Sequence, residues 1–297
     1  MASGSRKTNL LEVKNFVRNH HNTYPLLAPE KADLSGRSVF ITGASKGIGR
    51  TTAVRFAMAG CSKIAVGARS PLAEVEKAVK EAAATAGRPQ PQVLSLHLDV
   101  TSEASVRAAA EAVAEAFGGG LDILITNAGY LEKFAPVAET DPSEWWFSWD
   151  VNMKGTYLCA RYFIPLLLRS SLRILVTMSS AGAHNLLPGG SAYQTAKFAT
   201  CRFTEFVDQE YHAQGLLAFA VHPGSMLTEL ATNMPVELHG MLVDTPELSG
   251  DALVWLTKER REWLAGRYVD CCWDVAELEA RKEEIVSKDL LKFRLAV

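Results

Sequence analysis

The stretch Ser38-Val-Phe-Ile-Thr42-Gly-Ala-Ser-Lys-Gly-Ile-Gly49 decides how this 297-residue chain is read. Its first five residues are apolar or β-branched and stop at a glycine loop, as a buried strand does. Three glycines follow, Gly43, Gly47 and Gly49. One serves the tight turn, one lets backbone amides approach a pyrophosphate, and one allows close packing of helix on strand. The helix predicted over Ile48 to Met58 then offers free N–H groups and the positive end of its dipole to phosphates. The spacing is GxxxGxG, and no Gly-Lys-Ser/Thr closes it as in a nucleotide-triphosphate loop.

Downstream, short apolar runs alternate with helical patterns. Strands are predicted at Lys63 to Gly67, Val93 to Leu98, Leu121 to Thr126, Arg173 to Met178, Leu217 to Val221 and Gly266 to Asp270. Helices are predicted at Glu74 to Ala86, Ser102 to Phe117, Ser143 to Leu168, Tyr193 to Ala213 and Asp251 to Thr257. Such alternation implies a doubly wound α/β fold of the Rossmann type, a parallel sheet covered on both faces. Pro223 to Gly250 has no regular pattern. The organisation reads as an N-terminal arm (1–35), one dinucleotide-binding and catalytic domain (36–275) and a charged tail (276–297). The arm is expected to carry one short helix near Leu10 to Asn19.

Composition narrows the function. A net charge of −2 argues against a nucleic-acid binder, which needs a basic surplus. No run approaches the roughly 18 apolar residues of a membrane helix, and the charged N-terminus lacks the apolar core of a signal peptide. Five cysteines (61, 159, 201, 271 and 272), odd in number and without a CxxC, suit a reduced cytoplasmic setting and no metal site.

Cofactor choice is read at the end of the second strand, Val66-Gly-Ala-Arg69-Ser70. An acid there would hold a ribose 2′-hydroxyl, but Arg69 is a fork for phosphate. With Lys46 on the same side, the reading favours NADP(H) over NAD(H). Further on, Tyr193-Gln-Thr-Ala-Lys197 places two side chains four residues apart on one helix face. A free phenol has a pKa of about 10. A neighbouring ammonium and a cationic nicotinamide are expected to lower it, making Tyr193 a general acid or base.

Thr42 to Gly49, Asp99, Asn127-Ala-Gly129, Asn152, Ser180, Tyr193, Lys197 and Pro223-Gly224, in this order, resemble the short-chain dehydrogenase/reductase family in its compact branch, over about residues 36 to 272. The resemblance implies a sheet of about seven parallel strands and hydride transfer between nicotinamide and a carbonyl/alcohol pair. It implies that Tyr193 is the acid/base, that Lys197 holds the nicotinamide ribose, and that Ser180 binds the substrate oxygen, with adjacent Ser179 as the alternative. Asn152 would hold a relay water. Thr42, Gly43, Ser45, Lys46, Gly47, Ile48, Gly49, Arg69, Asp99, Val100, Asn127, Ala128 and Gly129 would line the adenosine and phosphate site. Pro223, Gly224 and Thr228 would meet the carboxamide.

Two departures stand out: Thr126 replaces a first asparagine, and Asp270-Cys-Cys-Trp-Asp274 replaces Asp-Gly-Gly, a segment that often builds subunit contacts. A homo-oligomer, dimer or tetramer, remains the expectation.

Some residues carry two readings. His184 is a loop histidine or a substrate neighbour. His222 is structural. Trp145, Trp146 and Trp149 are packing or a substrate wall. Met226, Leu227, Leu230, Met234, Leu238, Met241 and Leu242 form a lid for a bulky apolar substrate or are ordinary core. The expected activity is an NADP(H)-dependent ketoreductase or alcohol dehydrogenase acting on an apolar, secondary-metabolite-like substrate. The alternatives are a non-catalytic dinucleotide-binding regulator, or an enzyme that also shapes a non-redox step such as cyclisation. No Gly-x-Ser-x-Gly supports a hydrolase.

Overall fold

The computed structural model describes residues 16–295. Seven parallel strands form one sheet in the order β3-β2-β1-β4-β5-β6-β7. They are β1 Ser38–Thr42, β2 Lys63–Ala68, β3 Gln92–His97, β4 Ile123–Thr126, β5 Ile174–Met178, β6 Leu217–His222 and β7 Arg267–Asp270. The order reverses between β1 and β4, so the crevice for a ligand opens at the carboxyl ends of those two strands.

The pleat sorts side chains between two cores. Val39 and Ile41 of β1 face a core shared with helices α1 Gly47–Met58 and α2 Ala73–Thr85. Phe40 faces the other core, where helices α3 Glu103–Phe117 and α5 Gly155–Leu167 bury Val113 and Phe163. Between α3 and α5 lies α4 Pro142–Trp149, and α6 Ser191–Tyr211 follows β5. All five side chains of β1, β5 and the whole of β6 are buried, while the edge strand β3 is half exposed. Central strands are therefore continuous apolar runs, as doubly covered strands must be.

Three expectations change. The helix expected over Ser143 to Leu168 is broken by a π turn at Asp150–Lys154, a one-residue excess that hydrophobic periodicity does not reveal. The helix expected from Asp251 begins earlier, as α7 Pro246–Thr257, because Pro246 takes the first-turn position where its missing N–H costs nothing. In the arm, Leu10 to Asn15 lie outside the described residues. Phe16 to Asn19 are not helical, and Asn19 bridges Trp273 in antiparallel fashion.

The segments flanking 36–275 pack against it. Val17, Leu27 and Leu34 from one side and Leu278 and Ile285 from the other join the α1–α7 core. The residues after 275 form two short helices, α8 Val275–Ala280 and α9 Lys282–Ser287. Asp274 caps α8 through the N–H groups of Ala276 and Glu277, and its other oxygen meets His20 at 2.8 Å. The segment 270–274 thus ties arm to tail.

Candidate active site

A groove of about 360 Å³ opens at the sheet reversal, walled by the glycine loop, Arg69, Asp99, Asn127, Tyr130, Tyr193, Lys197 and Thr228. The sequence folds tightly here for two reasons. Gly43 has φ +65, and a Cβ on it would lie 2.7 Å from the Ala128 Cα. A Cβ on Gly49 would lie 2.6 Å from the Gly43 carbonyl oxygen. Only glycine lets the loop lie this close to the 127–129 loop. The two loops are also stitched: Asn127 Nδ2 donates to the Thr42 carbonyl at 2.8 Å, and the Ala128 N–H donates to Thr42 Oγ1 at 3.0 Å. Thr42 itself is buried and acts as the staple, outside the groove wall.

No side chain caps the N-terminus of α1. Its first-turn N–H groups belong to Gly47, Ile48 and Gly49, which line the groove. Uncapped donors and a positive dipole end fit a pyrophosphate. Ser45 and Lys46 lie on the same rim, Lys46 Nζ 2.6 Å from Glu229 Oε2. Arg69 is exposed at the end of β2, near enough to act on Asp99. Burial would raise the Asp99 carboxyl, but the N–H and hydroxyl of Thr101 and the charge of Arg69 hold it below its ordinary value. Asp99 accepts from both Thr101 groups, while Ser102 caps α3. Val100 packs on Gly155, where a Cβ would come within 2.8 Å.

Tyr193 and Lys197 share one face of α6, with the ammonium 5.4 Å from the ring centroid. Lys197 Nζ is buried and donates to the Met178 carbonyl at 2.8 Å; burial pushes its pKa down to about 8. For Tyr193 the expected lowering is not what the protein alone produces. Burial raises the phenol above its ordinary value, and the Glu132 charge adds to this. The Ser180 hydroxyl, hydrogen-bonded to the phenol, acts the other way. Desolvation outweighs one hydrogen bond here.

Adjacent serines part company at the end of β5. Ser179 is buried, its hydroxyl donating to the Lys197 carbonyl at 3.0 Å and lying 3.0 Å from the Cys201 sulfur. Ser180 stands on the phenol side and accepts from the Gly182 N–H. Its turn is held by His222, whose Nδ1 accepts the Ala181 N–H at 3.0 Å. His184 sits on the Tyr268 hydroxyl at 3.3 Å. Asn152 lies in the π turn, fully buried. Its Nδ2 donates to the carbonyls of Tyr130 (2.6 Å) and Ser148 (2.8 Å), and so holds the loop beyond Gly129 in place. Thr126, the departure from the family pattern, makes a long 3.5 Å contact with the Val176 carbonyl.

Pro223 and Thr228 line the groove, and Gly224 (φ +107) turns the chain behind them. The segment after it is a lid whose neck is closed by a Met226–Val243 bridge and by paired Ser225 and Asp244. Leu227, Val236 and Met241 of the lid are exposed, Met226 is buried and Leu230 reaches the groove. Trp145, Trp146 and Trp149 pack on one another, and Trp145 Nε1 donates to Ser191 Oγ at 3.0 Å at the start of α6. Among the described residues, no cluster of three metal-ligating side chains occurs, and no helix is long and apolar enough to cross a membrane.

A model of short chain dehydrogenases matches residues 37–238. The chain belongs to the short-chain dehydrogenase/reductase family. It is 56 % identical over 280 residues to the short chain dehydrogenase mpl6 of Monascus purpureus, covering 94 % of this chain and 96 % of that one. Among solved structures it resembles a 3-ketoacyl-(acyl-carrier-protein) reductase from Brucella melitensis complexed with NADH. The TM-score is 0.70 at 26 % identity, over 80 % of this chain and 97 % of that one. It also resembles an alcohol dehydrogenase from Thermococcus sibiricus complexed with 5-hydroxy-NADP. There the TM-score is 0.68 at 26 % identity, over 79 % and 95 %. Membership of the short-chain dehydrogenase/reductase family makes the chain an oxidoreductase that uses a nicotinamide dinucleotide.

Three site residues carry no sequence signature. Glu132 accepts the Tyr193 N–H from a position 61 residues away, Glu229 pairs with Lys46, and Asp244 locks the lid neck. Only folding brings these partners together.

Proposed function

We propose that the chain is an NADP(H)-dependent carbonyl reductase or alcohol dehydrogenase with Tyr193 as its acid/base. The observation that carries this reading is the meeting of Tyr193 and Lys197 at one end of a groove whose other end is the uncapped helix α1 and Arg69, with Ser180 on the phenol just outside the groove wall. A bound nicotinamide would supply or accept the hydride. In reduction, Ser180 and Tyr193 hold the carbonyl oxygen by hydrogen bonds, and Tyr193 transfers its proton as charge develops there. In oxidation Tyr193 takes the proton from the alcohol. Lys197 would hold the ribose hydroxyls and, as a cation 5.4 Å from the ring, favours the phenolate. Asn152 keeps the π turn and the Tyr130 backbone in register, so the relay that returns the proton stays aligned.

Arg69 would fork onto a 2′-phosphate, with Lys46 beside it. The exposed Leu227, Val236 and Met241 support an apolar substrate, such as a secondary-metabolite ketone. Exposed Tyr157 on α5 and Phe198 and Phe206 on α6 support a homo-oligomer built on those helices. The five buried thiols suit a reducing, cytoplasmic setting.

Tyr193→Phe tests the assignment. Turnover with a panel of apolar ketones should fall about 10²- to 10⁴-fold while NADPH binding, read by fluorescence, is kept. Unchanged turnover would remove Tyr193 from the chemistry. Binding without turnover in the parent protein would favour a dinucleotide-binding regulator.

A further inference from the structure

Glu132 is a carboxylate with only 2 % of its surface exposed, in the loop between β4 and α4. Burial of a carboxylate is costly unless hydrogen bonds or opposite charge compensate it. Its compensation is unusual. Both oxygens accept the same backbone N–H, that of Tyr193, at 3.0 and 3.1 Å. Tyr193 is the third residue of α6, whose first-turn donors have no partner inside the helix. The local N-cap, Gly190, has no side chain to serve them. A distant acid therefore does what a capping residue usually does, where the helix dipole favours a negative charge.

The position of Glu132 in the chain matters as much as its contact. Three residues earlier, Gly129 lines the nucleotide groove, as does Tyr130, whose backbone is clamped by Asn152. Glu132 is thus a rivet between the wall of the cofactor groove and the helix that carries Tyr193 and Lys197. A second contact runs in parallel, from Trp145 Nε1 to Ser191 Oγ.

Resting on the reading of Tyr193 as the acid/base, we propose that Glu132 is its positioning residue, anchoring the first turn of α6 to the loop along the groove and setting a negative charge on the backbone N–H of Tyr193 itself. Around Tyr193, Lys197 contributes a cation near the ring from α6 itself, Ser180 a hydroxyl from the end of β5, and Glu132 the opposing charge at the backbone N–H from the β4–α4 loop. From the lid, Glu229 is paired with Lys46. The nearby imidazoles are engaged elsewhere, His222 with the Ala181 N–H and His184 with Tyr268. Glu132 adds to the rise of the phenol above its ordinary value. Its chemical effect is to keep the proton on Tyr193 until the positive charges of Lys197 and the oxidised nicotinamide act together. That suits a residue that must present as an acid when the reduced cofactor is bound.

Substitution of Glu132 by Gln keeps an acceptor for the N–H and removes the charge, which separates the two roles. The phenolate of Tyr193 is read by near-ultraviolet absorbance, as the difference between each protein and its Tyr193→Phe counterpart. In E132Q the phenolate should appear about one pH unit lower than in the parent, a tenfold weaker hold on the proton. Identical onset in the two proteins would overturn the proposal.

Should E132Q not fold, the same coupling is read on the unaltered carboxylate by carbon-13 NMR. The Glu132 carboxyl signal, assigned by its loss in E132D, should step when Tyr193 ionises and stay level in Y193F. A level signal in both would overturn the proposal. Neither measurement uses a substrate. Normal turnover in Y193F would therefore sink the catalytic reading while leaving the Glu132–Tyr193 coupling measurable on its own.

Discussion

Lys46 Nζ and Glu229 Oε2 stand 2.6 Å apart across the mouth of the nucleotide groove, one on the glycine loop and one on the lid. Both side chains are well exposed, so the pair is screened and weak. Its importance is positional: the acid occupies a lysine that would otherwise face phosphate. Glu229→Gln should tighten NADPH binding about two- to fivefold, the range such exposed pairs allow. The gain should shrink with added salt. A fluorescence titration at two ionic strengths checks this, and weaker binding in the variant would show that Glu229 helps close the lid instead.

Arg69 is exposed at the end of β2 with no acid at the position that would read a ribose hydroxyl. Its replacement by Ala should weaken NADPH at least about tenfold, roughly the 1.4 kcal/mol a charge-assisted fork supplies. NADH should change little. Equal losses for both dinucleotides would mean that Arg69 does not distinguish the 2′-phosphate.

Lys197 is held by burial at a pKa of about 8, against the usual 10.5. Between these values the unfolded chain binds the extra proton and the native protein does not, so native stability rises with pH across the window. Below about pH 8 the buried ammonium lowers stability in full. Lys197→Met should therefore raise the melting temperature at pH 7, by at most about 3 kcal/mol in free energy. The loss of a partner for the Met178 carbonyl offsets part of the gain. The advantage should fade between pH 8 and 10.5, and turnover should be lost. Melting curves across that range decide it; a pH-independent difference would mean that packing, not protonation, separates the two proteins.

Ile285 on α9 has no exposed surface and belongs to the same core as Trp255 and Leu264. Truncation to Ala should cost about 2–4 kcal/mol, as for other fully buried aliphatic side chains. Urea melts measure it. A cost under about 0.5 kcal/mol would show that the helices after residue 275 dock only loosely.

Much of this was legible in the chain itself, and the reasons are local. The run 38–49 is read as strand, turn and helix because β-branched residues, glycines and helix formers punctuate one another within a dozen positions. Tyr193 and Lys197 are paired by helical spacing alone, and the order of the motifs from Thr42 to Gly224 points to the family without any coordinate. The π turn at Asn152 escapes such reading because one extra residue barely disturbs a hydrophobic period. The tail reads as charged because its exposed faces dominate the composition, while a few apolar residues, Leu278 and Ile285 with Leu291 and Phe293, carry the packing.

Local pattern by itself thus determined the strands, the glycine loop, the order of the family motifs and the Tyr-Lys pair, because each depends on neighbours within one helical turn or one strand. Tertiary structure alone decided which of Ser179 and Ser180 faces the phenol. It also decided that Lys46 meets Glu229, that His222 holds the Ala181 turn, and that Glu132 caps the helix of Tyr193. These partners lie from 13 to 183 residues apart. Their pairing is set by the sheet order and by burial, which strips water from polar groups and makes each take whatever partner the fold delivers.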